Sequence, residues 1–268
     1  MIRFRIHSLY DLFPYNHAIE GDPCIECYND TFVDKCNAPG YNIALLMEPR
    51  SLVPDAYKYV EDHADLFRYI FTHDSKILRL PNAYFLEWAD VWLTTDSEKT
   101  KGISLCTSSK DWCELHKARL ELANYFKDRP EVDVFYGDGS FKYDREHLTY
   151  KPEEYLEHYR YSIIIENDID RLWFTEKLLN CFSTKTVPIY VGARTIHELF
   201  NVKGIIRVND WHRIPYIVEN LDTVKDYEQR REAIEDNFRR VERYNKPWPL
   251  RFMDDYKDLL EGLINEQR

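Results

Sequence analysis

The sequence predicts an α/β protein made of two Rossmann-like halves, with a run of helices at its carboxyl end. Three observations predict it. Short apolar, β-branched runs alternate with helical periodicity on both sides of a polar segment, Thr94 to Gly102. Tyr161 to Ala193 reads as strand, loop, helix, strand, a βαβ unit whose right-handed crossover implies a parallel sheet. Residues 213 to 265 are mostly helical in pattern, broken near Asn245-Lys246-Pro247. The polar segment is the natural linker, so the predicted domains are 1–98 and 99–268, with the carboxyl edges of their sheets facing across one cleft.

Taken in order, Met1 to Arg5 alternates like a first strand, and the residues up to about 40 form a loop-like tract rich in Asp, Asn, Pro and Cys. Tyr41 to Met47 is an apolar run of strand length. Pro49 pushes Glu48 out of helical geometry and leaves it at the carboxyl end of that strand. Pro54 suits the first turn of a helix running to about His63, and Phe67 to Thr72 is the next strand. Beyond the polar segment, Ile103 to Thr107 is a strand, 113 to 127 a helix, and Val132 to Tyr136 a strand followed by Gly137-Asp138-Gly139-Ser140. Pro152 to Tyr159 reads as a short helix, Ser162 to Ile165 as a buried strand, and Thr175 begins a helix with Leu178, Leu179 and Phe182 on one face. Thr186 to Val191 and Gly204 to Val208 complete the strands.

Composition excludes several function classes. A formal net charge of -11 and a pI near 5.3 argue against a general nucleic-acid binder, which needs Lys and Arg in excess, but leave a single nucleotide possible. Apolar runs stop well short of a membrane span and no signal peptide opens the chain, so the expectation is a soluble, cytoplasmic protein. Neither a GxGxxG nor a Walker lysine motif occurs, which argues against a dinucleotide oxidoreductase or a P-loop enzyme. Aromatics make up 15%, including 20 Tyr, which fits a carbohydrate-binding surface or an ordinary core equally well. Cys24-x-x-Cys27 with Cys36 and His17 is a loose zinc pattern, and reduced structural thiols are the better reading.

Candidate site residues gather where an open α/β sheet binds ligands, at the carboxyl end of a strand and the first turn of the helix after it. Lys177 sits in that turn, where a cation opposes the helix dipole unless an anion is also present. Glu176 can accept from two ribose hydroxyls, Asn167 can orient a ligand, and Trp173 can stack or hydrogen-bond. Arg119, on the helix after the Ser108-Ser109 loop, can pair with phosphate in bidentate fashion, with Lys117 as a rival. Taken singly, each has a plainer reading as a turn, surface or packing residue. Asp168-Ile169-Asp170 is a D-x-D triplet able to hold Mg²⁺ or Mn²⁺, but three residues are a weak pattern and coincidence is favoured.

The joint spacing is more specific than any one residue. Ile165-Glu166-Asn167, then Trp173-Phe174-Thr175-Glu176-Lys177, then Val187-Pro188-Ile189-Tyr190-Val191-Gly192, then Val208-Asn209-Asp210-Trp211 together resemble the α1,3-fucosyltransferase family. The resemblance covers 160 to 211 well, 103 to 160 moderately, and the rest thinly. It implies a GT-B fold, an inverting mechanism, GDP-fucose as donor, a glycan hydroxyl as acceptor, and no metal cofactor. It assigns donor binding to Arg119, Asn167, Trp173, Thr175, Glu176 and Lys177, and the catalytic base to Glu48; if turnover persists in Glu48→Gln, His73 and Asp74 are next in line. Trp173 stands where the family has Tyr, which keeps another donor such as UDP-xylose, or a non-catalytic nucleotide- or glycan-binding protein, open as alternatives.

Overall fold

A computed structural model describes residues 2–137 and 151–267, so most of the expected turn 137–140 lies outside the described residues. In chain order the strands are β1 (Phe4–His7), β2 (Ile25–Asn29), β3 (Asn42–Leu46), β4 (Tyr69–Thr72), β5 (Ala83–Phe85), β6 (Lys101–Ser108), β7 (Val132–Gly137), β8 (Tyr159–Ile165), β9 (Val187–Val191) and β10 (Ile206–Arg207). The α-helices are α1 (Pro54–Asp62), α2 (Glu114–Phe126), α3 (Pro152–Leu156), α4 (Glu176–Ser183), α5 (Ile214–Glu219), α6 (Thr223–Gln229), α7 (Arg231–Val241), α8 (Trp248–Asp255) and α9 (Lys257–Glu266). They form two compact units: Met1–Trp88 with Asp170–Trp173 and Lys246–Arg268, and Ala89–Ile169 with Phe174–Asn245.

The first unit holds a parallel sheet in the simple order β1-β2-β3-β4-β5. The connections from β2 onward, crossing between sequential parallel strands in the right-handed sense, fall on one face. That face carries Ala44, Leu46 and Ile70, covered by Ala56, Tyr57 and Val60 of α1 and by Val33 and Ile77 of the short turns. The opposite face, with Phe4, Ile25, Ile43, Leu45 and Phe71, has to be covered from elsewhere. Leu12 and Phe13 of the first connection, and Trp248, Phe252, Leu260, Leu263 and Ile264 of α8 and α9, supply that cover.

The second unit holds a parallel sheet in the order β7-β6-β8-β9-β10. One face packs Leu105, Ile163 and Ile189 against Leu122, Ala123 and Phe126 of α2 and against α5 and α7. The other packs Ile164 and Tyr190 against Leu178, Leu179 and Phe182 of α4 and Leu156 of α3. β6 and β8 are neighbours whose following helices lie on opposite faces, so the strand order reverses between them. That makes the edge beyond Ser108 and Ile165 the switch point where open α/β sheets take ligands.

Three expectations change. The units divide at 88/89 rather than 98/99, and Lys246–Arg268 packs in the first unit rather than with the predicted donor domain. Both follow from the bare face of the first sheet and from the fixing of 89–99 on the second unit. The polar segment is accordingly not a loose linker. Thr95 N–H donates to Ser183 O at 3.1 Å, Ser97 Oγ to Glu157 Oε1 at 2.6 Å, and the buried Lys99 Nζ to Leu156 O, Glu157 O and Thr186 Oγ1 at 2.9, 2.8 and 3.0 Å. Finally, Gly204 to Val208 shortens to the two-residue β10.

Candidate functional site

β8 delivers Glu166 to the switch point fully buried, its N–H still on the sheet ladder to Val191 O at 2.9 Å. A buried carboxylate needs donors. Thr175 provides two, its N–H to Oε1 at 2.9 Å and its Oγ1 to Oε2 at 2.8 Å. Burial still pushes the Glu166 carboxyl upward, against the pull of Lys177, whose Nζ lies 3.9 Å from Oε2. Gly192 is required beside it, because a Cβ there would overlap the Tyr190 hydroxyl and stand 2.7 Å from Glu166 Cγ.

Thr175 is the N-cap of α4 and accepts from Lys177 N–H at 3.3 Å, the arrangement that satisfies an otherwise unpaired helix donor. Lys177 Nζ is folded back on Thr175 Oγ1 at 3.1 Å and Glu176 Oε1 at 3.2 Å. Glu176 and Lys177 are the half-buried members of this turn, with side chains 17% and 28% exposed.

Asn167 receives two bonds from α2. Arg119 Nη2 donates to Asn167 Oδ1 at 2.6 Å, and His116 Nε2 lies 3.0 Å from the same oxygen. A guanidinium only donates, so that atom is an oxygen and His116 presents Nε2–H to it. Burial and the adjacent Arg119 push His116 down to about 4, so the imidazole is neutral and Nδ1 carries a lone pair, buried without a hydrogen-bond partner. Burial also lowers Arg119, opposed first by Glu166; an arginine remains charged throughout. Lys117, the rival, is exposed. Burial pushes the Cys106 thiol of β6 up, against the pull of Arg119 and Lys177.

In the first unit, Glu48 follows β3, half-buried. Its backbone is held from both sides: the N–H donates to Asp30 Oδ1 at 3.1 Å, and the carbonyl accepts from the Tyr57 hydroxyl at 2.7 Å. His73 Nε2 lies 3.1 Å from that hydroxyl. Asp74 is committed to structure, accepting from Arg50 Nε at 3.0 Å and from the N–H groups of Lys76 and Ile77 at 2.9 and 2.8 Å. Trp173 belongs to this unit, is 1% exposed, and donates its indole N–H to Met47 O at 3.2 Å.

Five of the six expected donor residues thus come together on the second unit, and Trp173 does not. Thr175 turns inward as a cap. Glu166, His116 and Gly192 are the additions; Glu166 stood inside the recognised motif, but only the fold shows what it holds. Asp168 and Asp170 fall in different units, and Asp170 accepts from Ser75 N–H and Arg171 N–H at 3.3 and 2.6 Å. Cys27 and Cys36 are core thiols in the clusters on opposite faces of the first sheet, and His17 bonds Asp11 Oδ1 at 2.8 Å. No group of three or more metal-ligating side chains occurs among the described residues, and no described helix is long and apolar enough to cross a membrane.

Residues 96–239, just over half of the chain, match the family model of the glycosyltransferase family 10 (fucosyltransferase) C-terminal region. An α-(1,3)-fucosyltransferase FucT of Helicobacter pylori is 28% identical over 107 residues, which is 40% of this chain and 21% of that protein. An α-(1,3)-fucosyltransferase B of Drosophila melanogaster is 26% identical over 202 residues, 70% of this chain and 43% of that protein. The chain therefore spans less than half the length of these relatives. Among solved structures, an α1,3-fucosyltransferase superposes with a TM-score of 0.53 at 13% identity, and an α1,3-fucosyltransferase with GDP with a TM-score of 0.54 at 10% identity. Each covers 92% of this chain and 90% of the other. At that identity the likeness speaks for the fold, two parallel α/β units of GT-B type.

Proposed function

The chain belongs to glycosyltransferase family 10, the fucosyltransferase family, and from that premise we propose that it is an inverting glycosyltransferase moving L-fucose from GDP-fucose to a glycan hydroxyl. The observation that carries this reading is the pair of cations at the switch point of the second sheet, Arg119 held by Asn167 and Lys177 held by Thr175 and Glu176. A diphosphate brings two negative charges and oxygens that accept from both. With it bound, Lys177 exchanges its contact to Thr175 for phosphate, and Glu176 is released toward the ribose.

Glu48 takes the proton of the acceptor hydroxyl while that oxygen forms its bond to the anomeric carbon. The bond from that carbon to the diphosphate oxygen breaks, its electron pair leaving with GDP. Charge grows on the departing phosphate, and preorganised cations stabilise it more than they stabilise the ground state. Arg119 and Lys177 supply that charge from the protein itself. Asn167 and the neutral His116 fix the guanidinium, so little reorganisation accompanies the reaction.

Thermal unfolding with a panel of nucleotide sugars tests the reading. A ligand of the native state raises the melting temperature by mass action. GDP-fucose and GDP should raise it and UDP-xylose should not; Lys177→Ala should abolish the GDP shift. A shift with UDP-xylose alone reassigns the donor, and binding without release of GDP across a panel of oligosaccharides makes the protein a binder. Transfer should persist in EDTA; inhibition reversed by Mn²⁺ would restore a metal role to Asp168 or Asp170.

A further inference from the structure

Past Leu46 the ladder between β3 and β4 has ended, and Met47 and Glu48 run on toward Pro49. Backbone groups in such a place commonly turn to water. Here all four go to side chains. Asp30 Oδ1 accepts from the N–H groups of Met47 at 2.8 Å and Glu48 at 3.1 Å. The Trp173 indole N–H donates to Met47 O at 3.2 Å, and the Tyr57 hydroxyl donates to Glu48 O at 2.7 Å. Asp30, Tyr57 and Trp173 are all buried. Trp173 and Asp30 thereby grip the oxygen and the N–H of one peptide plane, the bond that joins Met47 to Glu48.

The two carbonyl clamps brace each other through His73. A tyrosine hydroxyl has one proton and a carbonyl only accepts, so the Tyr57 proton lies toward Glu48 O. His73 Nε2, 3.1 Å from that hydroxyl, is therefore the donor to it. The His73 ring packs against the Trp173 indole, with centroids 5.8 Å apart and planes at 53°. Trp173 belongs with the first unit, although Phe174 and Thr175, next along the chain, belong to the second. An indole has one N–H and no acceptor. With that proton on Met47 O and the ring 1% exposed, Trp173 has no surface left to offer a nucleotide sugar.

We propose that Trp173 is a positioning residue for Glu48, holding the peptide group from which the base projects, and that it takes no part in binding the donor. This rests on the reading of Glu48 as the base. The clamps leave Glu48 its side-chain torsions alone, so its carboxylate reaches the acceptor hydroxyl from a fixed backbone. Such preset geometry supplies much of an enzyme's rate advantage, and a displacement of about 1 Å can cost about 100-fold.

Trp173→Phe keeps the aromatic bulk and removes the N–H. With GDP-fucose and a responding oligosaccharide acceptor, kcat per GDP-binding site, counted by calorimetry, should fall by about 10- to 100-fold. KM for GDP-fucose and the dissociation constant of GDP should stay within about twofold, as for loss of an interaction that matters only in the transition state. A merely structural role would lower the melting temperature and the number of binding sites and leave kcat per site unchanged. A donor-binding role would raise KM for GDP-fucose. Either result overturns the proposal. Benzothienylalanine at position 173, which keeps the shape of the indole and lacks its N–H, should give the same split if the phenylalanine variant folds poorly. Added to Glu48→Gln, Trp173→Phe should cost nothing further, because residues that act as a unit are not additive; a second full loss overturns the proposal. Independently of turnover, amide hydrogen exchange at Met47 and Glu48 should quicken by about tenfold in Trp173→Phe and stay unchanged at Ile163 and Ile165 of β8. Unchanged exchange at Met47 and Glu48 overturns the clamp. Turnover surviving in Glu48→Gln instead overturns the base assignment, and the exchange rates still decide whether Trp173 holds that peptide.

Discussion

Gly192 shows how one residue type fixes the site. It follows β9, and any side chain there would meet the buried Tyr190 hydroxyl and Glu166 Cγ. Neither neighbour can swing aside, since Tyr190 accepts from Ala193 N–H at 3.1 Å and Glu166 holds both Thr175 donors. Gly192→Ala should cost about 1–3 kcal/mol of stability by overpacking. It should also weaken GDP affinity, because Glu166 can only relieve the clash by moving the Thr175 cap and Lys177 with it; chemical denaturation and calorimetry read the two effects separately. At this scale the sequence was partly legible. The Glu166-Asn167 pair and the Thr175-Glu176-Lys177 turn show in linear spacing because one loop and one helix start carry them. Asp30 does not show, since a carboxylate after a strand reads as a turn residue. Trp173 was legible as an aromatic in the motif, but its burial against Met47 depends on a partner 126 positions away along the chain.

Among the elements, α3 depends on a distant capper. Its last carbonyls, Leu156 O and Glu157 O, have no helical partners, and Lys99 Nζ fills both places. Burial lowers Lys99 to about 7, with Cys181, Glu157 and Asp96 opposing. Between that value and 10.5 the unfolded chain binds a proton that the folded one does not, so this group makes wild-type stability rise with pH across the window and adds no slope below it. Lys99→Met should destabilise by about 1–3 kcal/mol at pH 7.5 by removing the side-chain donor to Glu157 O and one of the two, with Thr186 Oγ1, to Leu156 O. The gap between wild type and variant should widen by pH 9.5, as scanning calorimetry at the two pH values will show. Elements differ in how plainly they are written. β3, β6, β8 and β9 are apolar runs buried on both faces and were readable from composition. β2 alternates Ile25, Cys27 and Asn29 with half-buried Glu26 and Tyr28 inside a tract of turn formers, β5 has three residues, and β10 two, so their pairing partners define them more than their own residues do.

For the molecule as a whole, the order of each sheet decides what else is needed. The second sheet winds both ways and covers both its faces with its own helices. The first winds one way and leaves much of the face with Phe4, Ile25, Ile43 and Phe71 to α8 and α9, whose segment starts at Lys246, far beyond the end of the first unit's opening stretch at Trp88. No local pattern states which sheet an amphipathic helix will cover, so this assignment was illegible in the sequence. A chain ending at Asn245 should keep hydrogen-exchange protection in Ala89–Ile169 and Phe174–Asn245 and lose it across β1 to β4; equal protection in both units would show that the first sheet does not depend on its late helices. The same arrangement sets a timetable for synthesis. When Trp88 leaves the ribosome the first sheet still lacks its cover, and at about 5–20 residues per second the remaining helices follow only after roughly ten to forty seconds. During that interval one apolar sheet face stays open to chaperones or to other nascent chains, while the second unit is completed ahead of it.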